Sequence, residues 1–450
     1  MRRVAVHTLG CKLNFAESSA IGRQFIDRGF KVVGIDESAD VCVINTCSVT
    51  ERADRECRQI VRRALRHSPN AYVVVTGCYA QLRPEQIAAI PGVDLVLGTK
   101  DKFDIFQHTD DFIKSECSQT FVSPISAAEA FAPASSVGSA DRTRAFLKVQ
   151  DGCDYSCAFC TIPLARGSSR STAIPAIIAQ ARAAVASGYQ EVVLTGVNVG
   201  DYGSKIGSSL VALLESLTEV DGLSRIRISS IEPNLLTDEL LSLWASNFKI
   251  CKHFHLPLQG GNDDILKKMR RRYLTESYAE RVRKIKTLLP QAGIGGDVIT
   301  GFPGETDDLF KQTYKFIVDL PLSYLHVFTY SERPDTIAIS MPGKTEPRIR
   351  FERSELLRSL SLRKRMAFNS GFIGSTREVL FEGRNNNGDW TGLTSEYVRV
   401  NMASNLDLSN RLVMTKIINI EGDDCIGQLV TSFNNNSPHS TTMNEVPLCA

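Results

Sequence analysis

The sequence predicts an α/β protein in three parts: an N-terminal open parallel α/β domain, a partial (β/α)6 TIM-like barrel and a small C-terminal β-barrel. Three observations carry this. Residues 3 to 114 alternate β-branched runs with helical periods, the pattern of a parallel sheet covered by helices. From 144 to about 330 six strand-then-helix units follow, three quarters of a barrel and open on one side to a large substrate. Residues 376 to 430 hold short strands broken by turns such as NNNG, which reads as a small closed barrel.

In chain order, VAVHTL, KVV, VCVINT, YVVVTG and LVLG are the expected N-terminal strands, with helices at 17 to 28, closed by Gly29, and at about 49 to 67. Ser48-Val49-Thr50-Glu51 reads as a capping box opening the second helix. The stretch 115–141, rich in Ala, Ser and Pro, reads as a linker. The barrel strands are AFLKVQ, EVVLTG, RIRISS, HFHLPL, GGDVITG and YLHVFTY. A basic helical connector at 344 to 366 leads to REVLFEG, DWTGLT, YVRVNM, RLVMTKIINI and IGQLV, and the tail from Asn434 is polar. The expected units are therefore 1–114, the linker, 142–370, 371–432 and a tail at 433–450.

Composition sets the class. With 43% hydrophobic and 23% charged residues in 450, the chain is globular and too long for one core. No run of 18 apolar residues occurs and MRRVAVHTLGCKLN lacks an apolar leader segment, so a cytoplasmic protein without a membrane span is expected. There, twelve cysteines serve as ligands or buried thiols in preference to disulfides. A net charge of only +2 leaves any nucleic-acid contact to a local patch.

Cys153, Cys157 and Cys160 form a C-x3-C-x2-C run at the C-terminal end of the first barrel strand, the catalytic face of such barrels. An iron–sulfur cube takes about one thiolate per iron, so three leave one iron free for an outside molecule. The competing reading is a structural zinc site built on Cys157 and Cys160. It needs a fourth ligand, and none of the seven histidines lies between residues 109 and 252. Cys11, Cys47 and Cys78 each follow the end of a predicted parallel strand, the edge where ligand sites gather in open α/β sheets. They are candidates for a second three-thiolate cluster; unrelated core cysteines are the alternative. Cys42, Cys57, Cys117, Cys251, Cys425 and Cys449 read as structural or incidental.

TLGCKLNFAES, INTCSVT, VVTGCYAQ, GCDYSCAFCTIPLARGSSRS, EVVLTGVNVGDYG, LPLQGGNDDILKKMRRRY and DVITGFPGET together resemble the methylthiotransferases of the radical S-adenosylmethionine superfamily, over roughly residues 3 to 430. The resemblance implies two [4Fe-4S] clusters and S-adenosylmethionine. Cys153, Cys157 and Cys160 would hold the cluster that cleaves the cofactor, and Cys11, Cys47 and Cys78 an auxiliary cluster that carries sulfur. Phe159, Gly196, Asn198, Gln259 and Glu305 become candidate cofactor contacts. One departure stands out: the family's usual Gln-Ser-Gly is Gln259-Gly260-Gly261 here. No further catalytic residue is assigned, and the electron and sulfur donors are unknown.

Within that family, Gly-Cys-Lys-Leu-Asn at 10 to 14 and YSERPDTIA at 330 to 338 resemble the group acting on threonylcarbamoyl-adenosine. The implied reaction is conversion of that nucleoside, beside the anticodon of tRNA at position 37, to its 2-methylthio derivative. A ribosomal-protein aspartate is the alternative target, and a non-catalytic, metal-stabilised RNA-binding protein the alternative class. The terminal barrel resembles the family's RNA-binding (TRAM-like) domain. Being remote in sequence from the cysteines, it is expected to be separable, with truncation after about residue 370 sparing both clusters. The basic connector reads either as a continuation of that face along phosphates or, as charge runs more often are, as a solvated helix.

Overall fold

The computed structural model describes residues 1–48, 50–114, 116–127, 131–138 and 143–430, apart from the side chain of Arg52. The expected polar tail and Cys449 lie outside them. The N-terminal sheet consists of β1 (Arg3–Thr8), β2 (Lys31–Val33), β3 (Val41–Thr46), β4 (Tyr72–Gly77), β5 (Leu95–Leu97) and β6 (Gln119–Phe121). All its pairings are parallel, in the order β2-β1-β3-β4-β5-β6. β3 and β4 are buried along their whole length, as expected for a sheet covered on both faces. Thus the stretch read as a linker supplies a sixth strand. Its residues 134–137 are also tied down, because Arg23 donates to the carbonyls of Ser135 and Val137 at 2.7 Å each.

Two helices differ from the sequence reading. The first runs Lys12–Ile26, so it starts directly after Cys11. The second is Glu51–His67, capped by Thr50, whose hydroxyl accepts from the Ala53 amide at 3.3 Å. Ser48 does not cap it. Its hydroxyl donates to Asp54 and accepts from Arg333 at 2.7 Å, and this buried ionic contact outcompetes a cap two residues early.

The barrel follows with β7 (Arg144–Lys148), the short pair β8 (Gln150–Asp151) and β9 (Arg170–Ser171), then β10 (Glu191–Thr195), β11 (Arg225–Ile228), β12 (His253–His255), β13 (Gly293–Thr300) and β14 (Tyr324–Thr329). The six main strands form two parallel groups, β11-β10-β7 and β12-β13-β14. Parallel bridges Ile226–Ile250 and Ser230–His255 join the groups. Ala145, Leu147, Val192 and Leu194 pack outward in the main core. The intervening Phe146 and Val193 cluster with Phe15 and Ala16 of the first helix, and Phe15 meets Phe146 edge-on at 5.7 Å. The N-terminal helix therefore lies on the inward face of β7 and β10.

The last part is a closed barrel of β15 (Thr376–Arg384), β16 (Trp390–Thr394), β17 (Arg399–Met402), β18 (Leu412–Glu421) and β19 (Asp424–Leu429). It is interlocked with the larger barrel. Buried Arg225 donates to the Leu393 and Glu378 carbonyls at 3.0 and 2.6 Å, and Arg227 donates to those of Thr394 and Ser395 at 3.1 Å each. Truncation near residue 370 would take the Glu378 carboxylate and these carbonyls from the two buried guanidinium groups, leaving Arg227 its pair with Glu191. The expectation of a freely separable module is corrected by this seam. The basic helix Pro347–Ser370 likewise spends several of its cations internally, while Arg348 and Arg358 stay on its exposed face. Arg353 pairs with Glu305 and Asp307, Arg350 with Glu332, Arg365 with Asp423, and Lys364 donates to the Leu320 carbonyl. Among the described residues, no helix is long and apolar enough to cross a membrane.

Candidate active site

Parallel register sets the N-terminal cysteines side by side. Thr8 is paired with Asn45, and Thr46 with Gly77, so Cys11, Cys47 and Cys78 all emerge at one edge. Two glycines make the approach possible. A Cβ on Gly10, which has φ of +99°, would fall 2.6 Å from Cys47 Cβ; one on Gly77, also at +99°, would fall 2.4 Å from the Thr46 carbonyl. Only glycine accepts both the conformation and the contact. Asn14 binds the loops together, donating to the Leu9 and Thr46 carbonyls at 2.8 and 3.0 Å. Burial pushes the Cys78 thiol up, with Arg166 acting against it.

The barrel cysteines lie just beyond β8. The Cys153 amide donates to the Gly167 carbonyl at 3.0 Å and the Cys160 amide to the Cys157 carbonyl at 3.1 Å. Arg271 donates to Cys157 Sγ at 3.0 Å and is itself held by Glu232 and the Tyr273 hydroxyl. Burial pushes the Cys153 thiol up to about 11 and Cys160 to about 12; a metal reverses this, because a coordinating thiol is deprotonated. The two sets are linked: Thr161, next to Cys160, donates to the carbonyl of Ser48, next to Cys47, at 3.3 Å.

Three thiols at each site are a donor set that fits an iron–sulfur cube, whose irons take thiolates. Among the described residues, the one set of three His, Cys, Asp or Glu ligand atoms gathered within 4.8 Å is His255, Asp297 and His326.

Of the expected cofactor contacts, Phe159 and Gln259 line a cavity of ≈ 220 Å³ together with Cys160, Asp297, Ile299 and Tyr330. Gln259 adopts φ of +64°, rare for a non-glycine residue, and its amide donates to the Asp297 carbonyl at 2.7 Å. Strain of this kind gathers at functional sites. Asn198 is 4% exposed, and both polar atoms of its side-chain amide lack a hydrogen-bond partner among the described residues; so costly an arrangement suits a ligand contact. Gly196 lies against Gln150, where a Cβ would fall 2.8 Å from Oε1. Glu305 behaves differently: its carboxylate accepts from the Gly301 amide and from Arg353 at 2.7 Å each, so it shapes the loop and is absent from the cavity wall. In the departing Gln-Gly-Gly, a Cβ on Gly261 would fall 2.9 Å from Thr313 Cα, and one on Gly260 3.1 Å from Ile265 Cγ2.

The sequence gives little sign of two further groups. His255 and His326 both meet Asp297 Oδ1, at 2.8 and 3.3 Å. Burial pushes the Asp297 carboxyl up, but these hydrogen bonds outweigh it and hold it below its ordinary range. Three strands supply this set, and only the pairing of Asp297 with His326 reveals it. The second group is the buried ionic cluster around Glu17, whose members are up to 149 residues apart.

Two family models match the chain: the uncharacterized protein family UPF0004 over residues 3–98 and the radical SAM superfamily over residues 147–317. The threonylcarbamoyladenosine tRNA methylthiotransferase MtaB of Bacillus subtilis is 40% identical over 424 residues, 93% of this chain and 94% of that protein. MtaB of Aquifex aeolicus is 40% identical over 81% of this chain and 89% of its own length. The tRNA-2-methylthio-N(6)-dimethylallyladenosine synthase of Geobacter metallireducens is 32% identical over 94% of this chain and 97% of its own. Among solved structures, the radical S-adenosylmethionine methyltransferase TsrM of Kitasatospora setae, with cobalamin and a [4Fe-4S] cluster bound, superposes with a TM-score of 0.53. That match covers 75% of this chain and 77% of TsrM at 14% identity, a likeness of fold. Two thiol triads at strand ends and 40% identity to a methylthiotransferase over nearly the full length lead to one conclusion: the chain belongs to the MtaB family of radical S-adenosylmethionine methylthiotransferases.

Proposed function

We propose that this enzyme converts N6-threonylcarbamoyladenosine at position 37 of tRNA to its 2-methylthio derivative. In this reading Cys153, Cys157 and Cys160 hold a [4Fe-4S] cluster that binds S-adenosylmethionine, and Cys11, Cys47 and Cys78 hold a second. The observation that carries it is the convergence of two separate three-thiol sets, joined through Thr161 and Ser48. When bound, the clusters and cofactor supply the one-electron chemistry needed to break an unactivated C–H bond. The chain's own residues bind and orient. Phe159 and Gln259 wall the cofactor cavity, the Asn198 amide offers its unpartnered donors and acceptor, and Arg271 fixes the Cys157 side of the barrel site.

The threonylcarbamoyl substrate is supported by Lys12 in GCKLN and by the 40% identity to two relatives named for that nucleoside, against 32% to a dimethylallyladenosine synthase. A nucleoside profile of tRNA from cells with and without the gene tests it. The 2-methylthio group should vanish from threonylcarbamoyladenosine alone; its loss from the dimethylallyl nucleoside, or an unchanged profile, defeats the reading.

Gripping of tRNA is assigned to the terminal barrel. On β18, Met414, Lys416 and Ile418 all point outward, with Met414 and Ile418 51% and 45% exposed, a mixed apolar and cationic strip suited to bases and phosphates. Lys416→Glu should weaken tRNA binding and lower the slope of log affinity against log salt by about 1 or more. Unchanged binding and slope would remove β18 from the interface.

A further inference from the structure

Beside the N-terminal cysteine edge lies an ionic cluster sealed from water. Glu17 Oε1 is 2.5 Å from Lys102, 2.9 Å from Lys148 and 3.0 Å from Arg166. Asp151 is 2.7 Å from Lys148 and 2.9 Å from Arg166. None of the five side chains is more than 3% exposed. Three cations thus face two carboxylates, and Arg170 approaches Asp151 at 3.7 Å as a further cation. A buried excess of charge costs several kcal/mol unless an opposite charge answers it. Burial pulls the Lys102 ammonium down to about 8 even with Glu17 beside it, and Lys148 and Arg166 add to the fall.

The answering charge is close by. Arg166 donates to Asn14 Oδ1 at 2.5 Å, and Asn14 is the residue that binds the Cys11 and Cys47 loops. The helices that begin at Cys78 and end at Arg166 pack together. A cube carrying three thiolates has a net charge of −1 in its oxidised 2+ state, opposite in sign to this surplus.

We propose that Lys102, Lys148 and Arg166, in excess over Glu17 and Asp151, are the built-in countercharge of the N-terminal cluster and raise its reduction potential. The inference rests on the two-cluster reading above. These side chains are positioning residues, acting through the cluster and not on substrate. Net charge around an iron–sulfur centre is one of the levers that set its potential. The arrangement also makes the potential depend on docking of the two parts, since Glu17 and Lys102 come from one and Lys148, Asp151 and Arg166 from the other.

The test is a redox titration followed by electron paramagnetic resonance, in full-length reconstituted protein carrying Cys153→Ala, Cys157→Ala and Cys160→Ala, where only the N-terminal site holds iron. In that parent, Lys102→Met should shift the potential negative and Glu17→Gln should shift it positive. Each shift should be about tenfold in the reduction equilibrium, which is about 59 mV for one electron. Lys148→Met should repeat the negative shift from the barrel side, and Lys102→Arg should restore the parent value. Unmoved potentials, shifts of one sign in Lys102→Met and Glu17→Gln, or loss of iron from both overturn the proposal, because a merely structural role would not reverse sign with charge. A parent that binds no iron takes the inference down together with the two-cluster reading.

Discussion

Anaerobically reconstituted protein should bind about eight irons per chain, and replacing Cys153, Cys157 and Cys160 together by alanine should leave about four. The expectation rests on independent ligand sources. The N-terminal thiols come from the ends of β1, β3 and β4, and the barrel thiols from one loop after β8. Removing the loop thiols leaves the sheet edge, its two glycines and the Asn14 clamp intact. Iron and sulfide analysis of both proteins decides the matter. Stoichiometric zinc in place of iron, or loss of all iron in the triple variant, would defeat the assignment of two separate sites.

Cys11→Ala, Cys47→Ala or Cys78→Ala should abolish methylthiolation while leaving reductive cleavage of S-adenosylmethionine in place. The cavity beside Cys160 is lined by Phe159, Gln259, Asp297 and Tyr330, none of which the N-terminal cysteines support directly. Loss of sulfur transfer should therefore be a drop below detection, with cofactor cleavage within a few-fold of the parent. Product analysis by mass spectrometry separates the two. Methylthiolation retained in any of the three variants would show that the sulfur-carrying site lies elsewhere.

Much of this architecture is legible in the sequence because it is local. Strands such as VCVINT and YVVVTG announce buried parallel pairing through runs rich in β-branched residues, and the barrel cysteines lie within eight residues of one another. The edge position of Cys11, Cys47 and Cys78 could be read too, since each follows a strand and all strands of a parallel sheet end on one side. Local signals also misled. Ser48 has the residue type of a cap, yet Arg333 and Asp54 claim its hydroxyl. Positive residues in the helix Pro347–Ser370 resemble a solvated phosphate-binding face, but Arg350, Arg353 and Lys364 hold the barrel's own carboxylates and carbonyls.

What the sequence determined by itself was therefore the order of parts, the two thiol sets and the family. Tertiary structure alone decided how they meet. The first helix lies against the inward face of β7 and β10, and that brings Glu17 to Lys148 and Arg166 across more than a hundred residues. Register between β13 and β14 sets Asp297 beside His326, and the seam through Arg225 and Arg227 ties the terminal barrel to the larger one. The physical reason is common to all three. Periodicity reports which face of an element is buried, whereas the partner of a buried charge is fixed only when distant elements dock and every ion withdrawn from water must find its counterpart.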